Sequence, residues 1–282
     1  MVNRRHFLTG AITAAVGVPA LAGCTSSPSD GRVLSNSAGT GLKGTGLTLT
    51  SRKRVAQLRA LNLDWFYTWG YSRPRASPTP GFVPMVWAAS RVRREVLDAV
   101  EDQKDRGQTE NLLGFNEPDL EGQADMSPAE ALRSWPELQR TGLRLGSPAP
   151  VNAMGDWMKA FMEGVSARDL RVDFVCVHAY LPPRADGFLR HIEEVHEYYG
   201  KPVWVTEYAV ADWEATPRRP TRYSGKEIRS FMEETVTALR TMDYVERFAW
   251  KTRPTGDPVM GESALFHDDG DLTETGELYR SL

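Results

Sequence analysis

Gly114-Phe115-Asn116-Glu117-Pro118 is the stretch on which the rest of the chain can be placed. The apolar run Leu112-Leu113-Gly114-Phe115 stops at an adjacent amide and carboxylate, and Pro118 removes the N–H that a continuing strand would donate. The stretch predicts a buried strand that ends in chemistry. A second run, Pro202-Val203-Trp204-Val205-Thr206, ends the same way at Glu207, followed by Tyr208 and Ala209. Two apolar strands each deliver a terminal glutamate.

If both strands belong to one parallel barrel, their carboxyl ends share a face, so Glu117 and Glu207 can meet on one substrate despite their separation in sequence. Paired carboxylates at such a place are the equipment of glycoside hydrolysis. The rest of the chain supplies the other strands. Gly46–Leu49, Leu63–Trp69, Phe82–Trp87, Leu143–Ser147, Val172–Tyr180 and Tyr244–Trp250 read as strands, with Pro84 marking the third as irregular. Between them lie helical patterns at Arg52–Leu61, Arg91–Arg106, Trp157–Val165, Gly187–Tyr199 and from Ser224 to Arg240. Ser127-Pro128-Ala129-Glu130 is an N-cap with proline at the first helical position and glutamate at the third, which starts a further helix toward Arg140. Eight strands alternating with helices predict an α/β fold, a single (β/α)8 TIM barrel.

Three phrases carry a family resemblance. Gly-Phe-Asn-Glu-Pro-Asp at 114–119, Val-Asp-Phe-Val-Cys-Val-His-Ala-Tyr at 172–180 and Val-Trp-Val-Thr-Glu-Tyr-Ala at 203–209 are similar to glycoside hydrolase family 128, a group of retaining barrel glycosidases. The resemblance runs from about Lys43 to Leu282. It implies a β-1,3-glucanase, of endo type, with Glu117 as acid/base, Glu207 as nucleophile and Asn116 as a hydrogen-bond partner of a sugar hydroxyl. It also implies a tryptophan beneath the sugar at the end of strand eight, the position of Trp250. No cofactor is expected. The alternatives are a barrel glycosidase of other β-glycan specificity and a surface protein that binds polysaccharide without cutting it; two intact carboxylates argue against the latter.

The bland readings of the glutamates are a helix-start carboxylate for Glu117 and a strand cap for Glu207. Period two puts Phe174, Cys176, His178 and Tyr180 on one side of strand six, the first two as core and the last two at the functional end. There His178 can orient Glu207, contact substrate, or remain a core residue. Trp204 falls on the other side of strand seven from Glu207 and is expected to face the helices. Trp69, Trp87, Tyr208 and Trp213 are candidate sugar-contacting aromatics among eight tryptophans and nine tyrosines. Lys251 and Arg253, after strand eight, are expected to narrow the cleft or to bind an acidic group on the polymer.

Residues 1–24 predict an export signal: Arg4-Arg5 precede an Ala-rich apolar stretch, and Leu21-Ala22-Gly23-Cys24 resembles a bacterial lipobox, which implies lipid attachment at Cys24. Residues 25–42, rich in Ser and Gly, read as a tether, and 43–282 as the catalytic domain, close to the roughly 250 residues of one barrel. The protein is thus expected outside the cytoplasm, held to the membrane by a lipid anchor only. If Cys24 is lipidated, Cys176 has no partner and no disulfide is expected. Thirty-four basic against 37 acidic residues give no electrostatic case for nucleic acid. His191 and His196 stand five apart, which turns them off a common helix face, so no metal site is indicated. A monomer acting on β-1,3-glucan is the expected state.

Overall fold

A computed structural model describes residues 42–49, 51–74 and 81–282. The signal at 1–24 with Cys24, and the tether to residue 41, lie outside the described residues. Among the described residues eight strands run in order: β1 Lys43–Gly46, β2 Trp65–Tyr67, β3 Gly81–Phe82, β4 Asn111–Leu112, β5 Arg144–Leu145, β6 Val175–Leu181, β7 Val203–Val210 and β8 Val245–Trp250. Six pair in the order β3-β2-β1-β8-β7-β6, and β4 pairs with β5, all in parallel. The parallel bridges Met85↔Leu113 and Gly146↔Phe174 join the two groups on both sides, which closes the ring. The fold is a (β/α)8 barrel.

Seven helices surround it among the described residues: α1 Arg52–Ala60, α2 Arg94–Asp105, α3 Pro128–Arg140, α4 Asp156–Ala167, α5 Ala185–Tyr199, α6 Gly225–Leu239 and α7 Glu274–Ser281. The caps explain the sharpness of several starts. Ser127 and Glu130 form the predicted capping box, and Ser224 with Glu227 forms a second at α6. The expected first strand is displaced: β1 occupies Lys43–Gly46 rather than Gly46–Leu49. Its sequence, Lys-Gly-Thr-Gly, hides a strand because the glycines make room. A Cβ on Gly44 would stand 2.3 Å from the Trp65 ring, and one on Gly46 2.7 Å from Trp69. Lys43 is buried because its ammonium donates to the carbonyls of Tyr279 at 2.7 Å and Arg280 at 3.2 Å, at the carboxyl end of α7, where a cation is favoured.

Two apolar layers separate inside from outside. Trp65 on β2 touches Trp204 on β7 at 5.4 Å between ring centroids, and these strands are not neighbours, so the contact crosses the barrel interior. Phe174 stacks on Trp204 at 4.1 Å in the same cluster, with Cys176 beside them. The expectation that Trp204 faces the helices is therefore corrected. The reason is a bulge: Val205 pairs with Val177 but Glu207 pairs with His178, so Thr206 is an extra residue and the alternation slips. Trp204 and Glu207 both point inward, while Val205 and Tyr208 join the outer, helix-facing core.

Candidate active site

Glu207 sits in β7, three residues before the strand ends, and is only 4% exposed. Its Oε1 accepts from the Tyr67 hydroxyl at 2.9 Å and from the Trp69 indole N–H at 2.7 Å. Its Oε2 accepts from the Tyr180 hydroxyl and faces the Lys251 ammonium at 3.0 Å. Burial alone would raise the carboxyl's pKa, but the charges of His178 and Lys251 and the hydrogen bonds from Tyr180 and Trp69 outweigh it and hold it down to about 2. The surroundings of Glu207 thus favour its ionised form. Burial, reinforced by the Glu207 charge, pushes the Tyr67 and Tyr180 phenols well above their ordinary range, so both stay donors.

The sign of the pH linkage follows. A carboxyl titrating near 2 in the fold and near 4.5 when free contributes stability above about 4.5, and this is lost as pH falls toward 2. Replacing Lys251 by Met removes one of the charges that depress Glu207, so the acid limb of the kcat/KM profile should move to higher pH. A pH–rate profile of the variant checks this; an unmoved limb would show that the ion pair does not tune Glu207.

Glu117 ends the strand-four segment, and its backbone adopts φ 41°, a left-handed conformation rare for a side-chain-bearing residue. The turn is held by the Glu117 N–H on Ala149 O at 2.8 Å and by the Asn116 N–H on Trp87 O at 2.9 Å. Trp69, with φ 56°, is the second such residue in the site. Between the two glutamates lies the His178 ring, 2% exposed, with Nδ1 3.0 Å from Glu117 Oε1 and Nε2 3.6 Å from Glu207 Oε1. The imidazole stands between the two carboxyls but is hydrogen-bonded to Glu117 alone, its buried Nε2 having no hydrogen-bond partner among the described residues. Asn116 donates through Nδ2 to Gln123 Oε1 at 3.1 Å, and its buried Oδ1 has no partner among the described residues. A sugar hydroxyl is a fitting donor to that oxygen.

Above these groups lies a cleft of about 420 Å³ whose walls include Trp69, Trp87, Tyr180 and Trp213. Its floor is Glu117, Glu207 and Asn116. Trp213 is 65% exposed on the rim and is fixed by its indole N–H, which donates to Tyr180 O at 3.1 Å.

The sequence profile described as glycosyl hydrolase catalytic core matches residues 44–279. A family 128 subgroup I endo-β-1,3-glucanase from Amycolatopsis mediterranei, solved as a glutamate-to-alanine variant with laminaripentaose, is 31% identical. The match covers 86% of this chain and 99% of that one at a TM-score of 0.75. The chain belongs to glycoside hydrolase family 128. A subgroup II endo-β-1,3-glucanase from Sorangium cellulosum is 27% identical, covering 85% of this chain and 98% of its own at a TM-score of 0.70. Alkali-sensitive linkage protein 1 of Schizosaccharomyces pombe is 29% identical over 231 residues, 78% of this chain. This chain spans 40% of the length of that curated relative.

Within the family 128 barrel, the expected residues Glu117, Glu207, Asn116, Tyr180, Trp69, Trp87 and Trp213 converge on one cleft, and three others do not reach it. Trp250 is fully buried on the outer side of β8, 5.0 Å from the Tyr208 ring, with its indole N–H on Ser263 O at 2.9 Å. Arg247 and Ala249 face inward on this strand and Lys251, just past its end, follows them, so the place expected for tryptophan is taken by lysine, whose ammonium lies 3.8 Å over the Trp69 ring. Tyr208 likewise packs outward on Phe188 and Phe231 and is no cleft residue. His178 lies buried beneath the cleft surface, with the Glu117 carboxyl as its hydrogen-bond partner. Trp250→Phe should consequently lower Tm and leave KM within about twofold, since the ring fills outer core; a raised KM with unchanged Tm would return it to the cleft.

Tyr67 is the site residue that the sequence reading missed, and Lys251, expected at the cleft, stands there against Glu207 and not against an acidic group of the polymer. Tyr67 is two residues before Trp69 on an inward-facing alternation, which is the signal that could have found it. Among the described residues no group of His, Cys, Asp and Glu is arranged to hold a metal ion.

Proposed function

We propose that this chain hydrolyses β-1,3-glucan with retention of anomeric configuration. The observation that carries the reading is the unequal pair: Glu207, ionised and held by four donors, beside Glu117, whose single side-chain partner among the described residues is His178. The Glu207 carboxylate attacks the anomeric carbon while Glu117 gives its proton to the departing glycosidic oxygen, leaving a glycosyl ester on Glu207. Glu117, now a carboxylate, takes a proton from water as that water attacks the same carbon and frees Glu207. The glucan class is supported by the Amycolatopsis mediterranei enzyme, whose structures include complexes with laminarin oligosaccharides and variants at two different glutamates. Incubation with a panel of β-glucans, with new reducing ends counted, tests the reading. Binding without product on every glycan would contradict it and favour a polysaccharide-binding protein.

The sequence at 1–24 supports a location outside the cytoplasm, with a lipid on Cys24 as the only membrane attachment. Cys24→Ala should release the protein from membranes and leave its activity unchanged. Membrane fractionation checks this, and a wild-type protein recovered wholly soluble with residues 1–23 removed would overturn it.

A further inference from the structure

We infer that a pocket beside the catalytic cleft, between the end of β1, the first turn of α1 and the segment after β8, binds an anionic substituent carried by the glucan. The inference rests on the glucanase reading above. The pocket, about 410 Å³, shares Trp69, Lys251 and Arg253 with the cleft wall, so a group projecting from a sugar over Trp69 can enter it. Its charges are unbalanced. Lys53, Arg54, Lys251 and Arg253 line it against one acid, Asp268. Lys251 is matched by Glu207, and Arg253 reaches Asp257 only at 3.5 Å. Among the described residues Lys53 and Arg54 meet no carboxylate: the Lys53 ammonium donates to the Asp268 carbonyl, and Arg54 to the Gln57 amide oxygen at 3.2 Å.

Two further observations favour an anion over a neutral sugar. Gln57 lines the pocket at 4% exposure with its amide oxygen held by Arg54 at 3.2 Å, which leaves its NH2 group as the half that can donate to an incoming oxygen. The first turn of α1 carries Arg52, Lys53 and Arg54 and no acid, so three cations stand at the positive end of the helix dipole, an unfavourable arrangement that a bound anion offsets. The acidic-group role expected of Lys251 thus falls to Lys53 and Arg54, since Lys251 is engaged with the nucleophile.

The test compares kcat/KM on neutral β-1,3-glucan oligosaccharides with those of equal length bearing carboxymethyl groups in one arm and phosphate esters in the other. The wild type should prefer at least one anionic arm, and that arm names the source of the charge. Lys53→Gln and Arg54→Gln should each reduce the preference roughly fivefold while leaving the neutral substrate unchanged, and added salt should erode it. Equal rates on neutral and both anionic substrates, or a preference that survives the double variant, would overturn the inference while leaving the glucanase reading intact. Should no glucan be cut, that reading fails by itself. Calorimetric binding of the same oligosaccharides then decides the pocket, equal affinities counting against it.

Discussion

Glu207→Gln should lower kcat on β-1,3-glucan on the order of 10⁴-fold or more, with the fold retained. An amide has no anion to attack the anomeric carbon, so no glycosyl ester forms. The shell around position 207 adapts only in part. With the amide oxygen in the Oε1 position Tyr67 and Trp69 can still donate to it, but the NH2 group then faces the Tyr180 hydroxyl and cannot accept from it, and the Lys251 ammonium, its side chain 16% exposed, loses its counter-charge. A stability loss of about 1–3 kcal/mol is expected from these mismatches. Intact-protein mass spectrometry during turnover of a slow substrate should show added glycosyl mass on the wild type and none on the variant. Label on the variant would move the nucleophile elsewhere.

Glu117→Gln should slow cleavage of natural glucan roughly 10²–10⁴-fold, the usual range for a lost general acid. Its signature is selective. An aryl glycoside with an acidic leaving group needs no proton as it departs, so formation of the glycosyl ester from that substrate should be almost unaffected, and breakdown of the ester should become slow because no base activates water. A burst of released phenol followed by a slow phase is the expected trace. Equal loss on both substrates without a burst would show that Glu117 positions rather than protonates. The His178 ring, hydrogen-bonded to Glu117 and 3.6 Å from Glu207, couples the two positions electrostatically, so the effects of the two variants should not add.

The barrel was legible because its elements carry local chemistry. The Ser127–Glu130 and Ser224–Glu227 capping boxes mark two helices, and the two glutamates mark the functional ends of the strand-four segment and β7. What escaped the sequence depends on contacts between distant strands. β1 lacks an apolar pattern because Trp65 and Trp69 fill the space above its glycines. The Thr206 bulge turns Trp204 inward, which strict alternation does not allow. Trp250 and Lys251 differ by one position, and which of them faces the cleft is set by the register of β8 on β7, where Tyr208 pairs with Trp250. The role of Lys251 also needs a partner, Glu207, that only the closed barrel brings within 3.0 Å.

The measurement that bears most directly on the mechanism is proton NMR of the first product released from a β-1,3-glucan, read before mutarotation. Two displacements at one carbon, the first by Glu207 and the second by water, return the starting configuration, so the account predicts an initial β-anomer. An initial α-anomer would contradict it, since a single displacement by water between more widely spaced carboxyls gives that result.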